Sequence, residues 1–96
     1  MNIARPATGF LIKEPASFAE YLAGYAKKWP RLASHWDATK ERLKMTAHKE
    51  GQSFGHPLHR IFEAIGDKTV GLPTIRVAYF VFADTLTFVA IMVIDP

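Results

Sequence analysis

The chain contains no cysteine, which excludes a disulfide framework, a thiol nucleophile and any metal site built on thiolates. It also lacks an apolar core near its start, where Met1-Asn-Ile-Ala-Arg-Pro6 is polar and broken by proline. The expectation is therefore a cytoplasmic protein without a signal peptide. There is no internal repeat, no low-complexity tract, no Gly-rich phosphate loop and no nucleophile-elbow context around a serine. What remains is 96 residues, nearly half of them hydrophobic, with a formal net charge of +3. That length makes one domain, spanning residues 1–96, with enough apolar material to bury a core. The charge favours an anionic partner only mildly, so its placement says more than its sum.

The densest hydrophobic signal lies in the last third. Thr74-Ile-Arg-Val-Ala-Tyr-Phe-Val-Phe82 and Thr85-Leu-Thr-Phe-Val-Ala-Ile-Met-Val-Ile94 are β-branched and aromatic runs meeting at Ala83-Asp84. They predict two strands joined by a tight hairpin. The stretch Val77 to Ile94 is long enough to suggest a membrane span, yet Asp84 would lie near its middle. An Asp at a bilayer centre costs about 2.5–3.5 kcal/mol, so no membrane role is expected. Within the first run Ile75, Val77, Tyr79 and Val81 share one face, and Arg76, Ala78, Phe80 and Phe82 share the other. Tyr79 reads as core. Arg76 must face water, an anion or a carboxylate, with Glu63 and Asp84 as candidate ion-pair partners.

Upstream, Thr8 to Ile12 predicts a short strand closed by Pro15. Ser17-Phe-Ala-Glu20 has the spacing of a capping box, and Phe18, Tyr21, Leu22, Tyr25 and Trp29 follow at helical spacing. Arg31 to Glu50 predicts a second helix, with Leu32, Trp36, Thr39, Leu43 and Ala47 as its inward stripe and Gly51 as its stop. Lys40, Lys44 and His48 recur every four residues as a basic ridge, with Arg42 and Lys49 nearby. The ridge is either a solvated face or a row of phosphate contacts. Gly51 to Pro57 reads as a loop and Leu58 to Ile65 as a further strand, with the turn-rich Gly66 to Pro73 competing for that role. The sum is an α+β fold: an antiparallel twisted sheet of three to four strands with two helices packed on one face.

His56-x-x-His59 has a spacing seen in metal sites, but it falls on a loop with only Glu63 and Asp67 near it, so no metal and no cofactor are expected. As general acid or base candidates His56 and His59 are more plausible, and Glu63 could orient His59 from the same strand face. Phe80 and Phe82 beside Arg76 suit base stacking or partner docking if that face is open.

The order strand–helix–helix–meander in about a hundred basic residues resembles the RelE/ParE superfamily of toxins from type II toxin–antitoxin pairs. Gly55-His-Pro-Leu58, Ile75-Arg-Val-Ala-Tyr79 and Phe82-Ala-Asp-Thr-Leu86 carry the resemblance. It implies a basic concave sheet face opposite the helices. In the ribonuclease branch, that face cuts messenger RNA on the ribosome and so inhibits translation. Arg76 falls on the family's strand arginine, which stabilises the scissile phosphate. Arg76, His59 and His56 become the candidate catalytic set. Lys40, Lys44, His48, Lys49, Arg60, Lys68 and Phe80 become candidate RNA contacts. The implied partners are a small acidic antitoxin protein and the ribosome with its mRNA; a homodimer is admitted for the free chain. The ribonucleases carry further Arg, His, Lys or Tyr after the last strand, whereas this sequence reads Ile94-Asp-Pro96 there. The alternative is therefore a non-catalytic inhibitor of a protein target such as DNA gyrase, or an inactive interaction domain.

Overall fold

A computed structural model describes residues 8–95, with Phe54, His56 and Pro57 described in their backbone only. The order is β1 (Leu11–Lys13), α1 (Ala16–Ala23), α2 (Leu32–Thr46), β2 (Gln52–Phe54), β3 (His56–Ala64), a 3-10 turn (Lys68–Val70), β4 (Thr74–Phe82) and β5 (Thr85–Ile94). The α+β class is as expected, but the sheet is larger and mixed. Five strands lie in the order β1-β5-β4-β3-β2. The first strand joins β5 in parallel, Leu11 opposite Thr85 and Lys13 opposite Thr87, while all other neighbours are antiparallel. The extra strand is β2, inside the segment expected to be loop. A register shift between Ser53 and Phe54 interrupts its pairing with β3, which obscures the alternation in the sequence.

Both helices pack on one face. Phe18 from α1, Leu32, Trp36 and Leu43 from α2, and Phe62, Ile75, Val77, Tyr79, Val81, Leu86 and Phe88 from the sheet form one buried cluster. Its centre is aromatic: Trp36 and Phe88 ring centroids lie 5.0 Å apart, and Tyr79 meets Phe88 edge-on at 6.4 Å. The whole predicted stripe of α2, from Leu32 to Ala47, is buried.

Helix boundaries differ from expectation. Pro15, at φ −62° and ψ 140°, occupies the N-cap of α1, and no side-chain cap bond forms there. Proline presets the entry φ, so Ser17 falls inside the first turn and the expected Ser17–Glu20 capping box is not made. The second helix ends at Thr46 rather than Glu50. Residues 47–51 turn back toward the sheet, and Gly51 at φ +67° completes that reversal; a Cβ there would lie 2.3 Å from the Ile61 carbonyl oxygen. At Gly9, φ +86°, a Cβ would meet Lys44 and Met45 at about 3 Å, so only glycine lets the chain enter β1 this close to α2.

The hairpin forms as predicted, with Phe82 opposite Thr85. Ala83 carries a φ of +53°, the one non-glycine residue in the left-handed region among the described residues. Farther along, Ala78 pairs with Ala90 and Tyr79 with Phe88. Val89 is thus left as an extra residue, 57% exposed, in a bulge. No helix among the described residues is long and apolar enough to cross a membrane.

Candidate active site on the open sheet face

Alternation along β4 sends Ile75, Val77, Tyr79 and Val81 under the helices and leaves Arg76 and Phe82 exposed on the other side. On β3 the residues directly opposite are Glu63 against Arg76, Ile61 against Ala78 and His59 against Phe80. Since opposed residues share a face, His59, Glu63, Arg76 and Phe80 all lie on the uncovered side of the sheet.

The polar centre of that face is one ion pair. Arg76 Nη2 donates to Glu63 Oε1 at 3.1 Å, with both side chains a little under half exposed (45% and 42%). This is the Glu63 pairing foreseen for Arg76; Asp84 is not its partner. A pair this exposed contributes at most about 1 kcal/mol to stability. The bond engages Nη2, so Nη1 and Nε remain for a second acceptor. Beside the pair lies a cleft of about 530 Å³, lined by Gly51, Gln52, Ser53, Ile61, Phe62, Glu63 and Arg76.

The far wall of the cleft is fixed from behind the sheet. Buried Tyr79 places its hydroxyl between the Ala47 carbonyl at 2.9 Å and the Glu50 carbonyl at 3.1 Å. Burial pushes its pKa up to about 12. Arg60 lies opposite Tyr79 on β3 and donates through Nε to the Glu50 carbonyl, through Nη2 to the Gly51 carbonyl at 3.1 Å and through Nη1 to Ser53 Oγ at 3.2 Å. Three backbone carbonyls, of the α2 C-cap residue Ala47 and of the turn that follows it, are thus held by two side chains. Glu50 in turn is held by Arg42, through Nε and through Nη2 at 3.2 Å, and by Thr46 at 3.1 Å. The Arg42 hydrogen bond, with Thr46 helping, keeps the Glu50 carboxyl below its usual range against the opposing effect of burial.

The expected site residues therefore separate. Arg76, His59 and Phe80 share the open face, where the His59 and Phe80 ring centroids lie 5.5 Å apart with the planes tilted by 46°. His59 is nevertheless four residues along the strand from Glu63, about 13 Å at the usual rise. Glu63 therefore does not orient His59, and His59 does not reach a phosphate held at Arg76. The His56 side chain lies outside the described residues. Arg60 lies on the helix side, where its guanidinium is engaged by Glu50, Gly51 and Ser53. Lys68 is exposed in the 3-10 turn beyond the end of β3.

The helix-two ridge lies in the helix layer, across the sheet from Arg76. Lys40 binds Glu14 at 2.9 Å and Asp37 at 3.6 Å and sits over the Trp36 ring. Lys44 is half-buried against Gly9, and the His48 ring packs on Phe10 at 5.6 Å. Lys49 is exposed. Lys40, Lys44 and His48 thus hold the N-terminal segment to α2, which accounts for their spacing without a phosphate.

Glu63 reads in the sequence as a candidate partner of Arg76 or an orienter of His59, but its place on the cleft wall is not foreseen there. Its opposition to Arg76 depends on the register of β3 against β4, set by the irregular turn between them. Among the described residues no group of three or more side chains could hold a metal ion. No protein-family model matches the chain, and no curated protein or solved structure shows significant similarity to it.

Proposed function

We propose that this chain is a RelE/ParE-like type II toxin, and that it cuts RNA at the cleft beside Glu63 and Arg76. The observation that carries the reading is this pair: a carboxylate and a guanidinium side by side, half-exposed, at the mouth of a cleft large enough for a nucleotide. The order of two helices between the first strand and a four-strand meander, with the helices on one face and Arg76 on the other, supports the class. An acidic antitoxin that masks the open face follows from the same reading.

Cleavage without a metal needs the ribose 2′-oxygen to attack the adjacent phosphorus. Glu63 accepts the 2′-hydroxyl proton as general base. Arg76 donates from Nη1 and Nε to the phosphorane oxygens as their charge grows, a planar fork suited to that geometry. The bond from phosphorus to the 5′-oxygen breaks, leaving a 2′,3′-cyclic phosphate and a 5′-hydroxyl. The leaving oxygen takes its proton from water or from the ribosome.

A second reading draws on the same face. Leu11, Phe82, Val89 and Met92 are each about half or more exposed there, an apolar area that suits non-catalytic capture of a protein target such as gyrase. Purified protein on ribosomes programmed with a defined message separates the two. Cutting in the ribosomal A site that disappears in Arg76→Ala supports the nuclease. Intact message with a folded protein, together with inhibition of gyrase supercoiling, supports the binder.

A further inference from the structure

The edge of β3 is open where the cleft ends. The second strand covers β3 only as far as Ile61, opposite Gln52, while β3 stays paired with β4 through Ala64. On the helix side of this free edge is a second hollow of about 420 Å³, between one face of α2 and the end of β3. Its lining includes His35, Thr39, Arg42, Phe62 and Glu63. Phe62 and Glu63 also line the cleft at Arg76, so the two hollows meet around the edge of one strand.

The second hollow has an unmet polar group. His35 Nε2 is shut off from solvent and has no hydrogen-bond partner. Buried polar atoms are nearly always paired, so an unpaired imidazole nitrogen in a side chain that lines a hollow marks a group able to take a ligand atom once the ring turns outward. Nearby, the Arg42 guanidinium lies over the Phe62 ring at 5.1 Å, and its side chain is still 61% exposed. A guanidinium backed by an aromatic ring is a stacking platform for a flat heterocycle.

We infer that the hollow between α2 and the free edge of β3 is a nucleobase subsite, in which the base stacks on Arg42 and hydrogen-bonds His35 Nε2. The inference rests on the reading of the Glu63–Arg76 cleft as an RNA site. It adds that a nucleotide whose phosphate lies at Arg76 turns its base, or its neighbour's base, around β3 into the hollow. Binding requires the imidazole to turn outward, since Nε2 is shut off from solvent in this structure. His35 serves as donor or acceptor according to its tautomer, so it gives the subsite a preference among bases. None of Lys40, Lys44 or His48 takes part.

The test is a titration of the intact protein with the four nucleoside 3′-monophosphates, and with inorganic phosphate as control. It is followed by NMR signals of the His35 imidazole and the Arg42 and Arg76 guanidinium groups. The expected result is that at least one nucleotide shifts all three groups, whereas phosphate shifts Arg76 alone. His35→Gln should then weaken the preferred nucleotide about tenfold, as for one lost hydrogen bond, and leave phosphate binding unchanged. Ala38→Phe fills the hollow from the exposed side of α2 and should have the same selective effect, which guards against a folding defect at position 35. Nucleotide shifts confined to Arg76 would overturn the subsite and leave the cleft as an anion site. No shift at any group, with nucleotide or phosphate, would overturn the subsite together with the reading of the cleft.

Discussion

The two faces of β4 present opposite chemistry from alternating positions of one strand. On the covered face Ile75, Val77, Tyr79 and Val81 are all but inaccessible, and the single polar atom there, the Tyr79 hydroxyl, is satisfied by two carbonyls. On the open face Arg76 keeps nearly half its surface in water, and Glu63 holds it only weakly. The lesson is a division of labour. The covered face supplies stability, and it also builds the open site indirectly, because Tyr79 and Arg60 fix the residues 50–53 that wall the cleft. The open face contributes little to stability, which leaves its charges free to serve a ligand.

Substitutions sharpen that contrast. The largest stability loss is expected for Phe88→Ala, which removes the ring shared by Phe18, Trp36 and Tyr79. Burial of this kind is worth about 3–5 kcal/mol, read as a lower urea midpoint. On the open side Arg76→Ala should do the reverse. Cleavage should fall about 10²–10³-fold, as when one donor to a developing oxyanion is lost, while the urea midpoint hardly moves.

Tyr79→Phe comes next. It leaves the Ala47 and Glu50 carbonyls short of a buried donor, at a cost of about 1–3 kcal/mol. It should also change the response to base. The folded pKa of about 12 stands above the unfolded value of about 10. The neutral phenol therefore stabilises the fold fully below about pH 10, and that contribution is lost as the pH rises toward 12. The wild type should lose stability across that window in alkaline denaturation, and Tyr79→Phe should lose markedly less. The smallest effect is expected at the hairpin. Ala83→Gly relieves a left-handed alanine worth about 1 kcal/mol or a little more and adds unfolded-state entropy of nearly the same size. Thermal melting should rise slightly; a clear fall would show that the turn is not strained.

The same contrast separates what was legible in the sequence from what was not. The α2 stripe, the hairpin at Ala83-Asp84 and the two faces of β4 were readable because helical and strand periods are local. The capping box misled because Pro15 already supplies the helix entry, and a motif does not say which residue occupies the cap. The parallel seat of β1 on β5, and the choice of Glu63 over Asp84 as the partner of Arg76, depend on pairings across long separations, which periodicity cannot carry. The ridge of Lys40, Lys44 and His48 was read at the correct spacing, as a solvated face or a row of phosphate contacts, and its neighbours within the chain were not foreseen. Glu14, Gly9 and Phe10 occupy it, and no composition rule reveals a neighbour more than twenty residues away.

One measurement bears most directly on the central claim. Message cleavage on programmed ribosomes would be compared for wild type, Arg76→Ala, Glu63→Gln and the double exchange Glu63→Arg with Arg76→Glu. The exchange keeps an ion pair across the strands but swaps the base and the phosphate clamp. The account predicts cutting by the wild type only, to 2′,3′-cyclic ends, with the exchanged protein as stable as wild type and inactive. Cutting that survives in either single variant, or that returns in the exchange, would mean that the pair is only a strut between strands and that the reaction, if any, lies elsewhere.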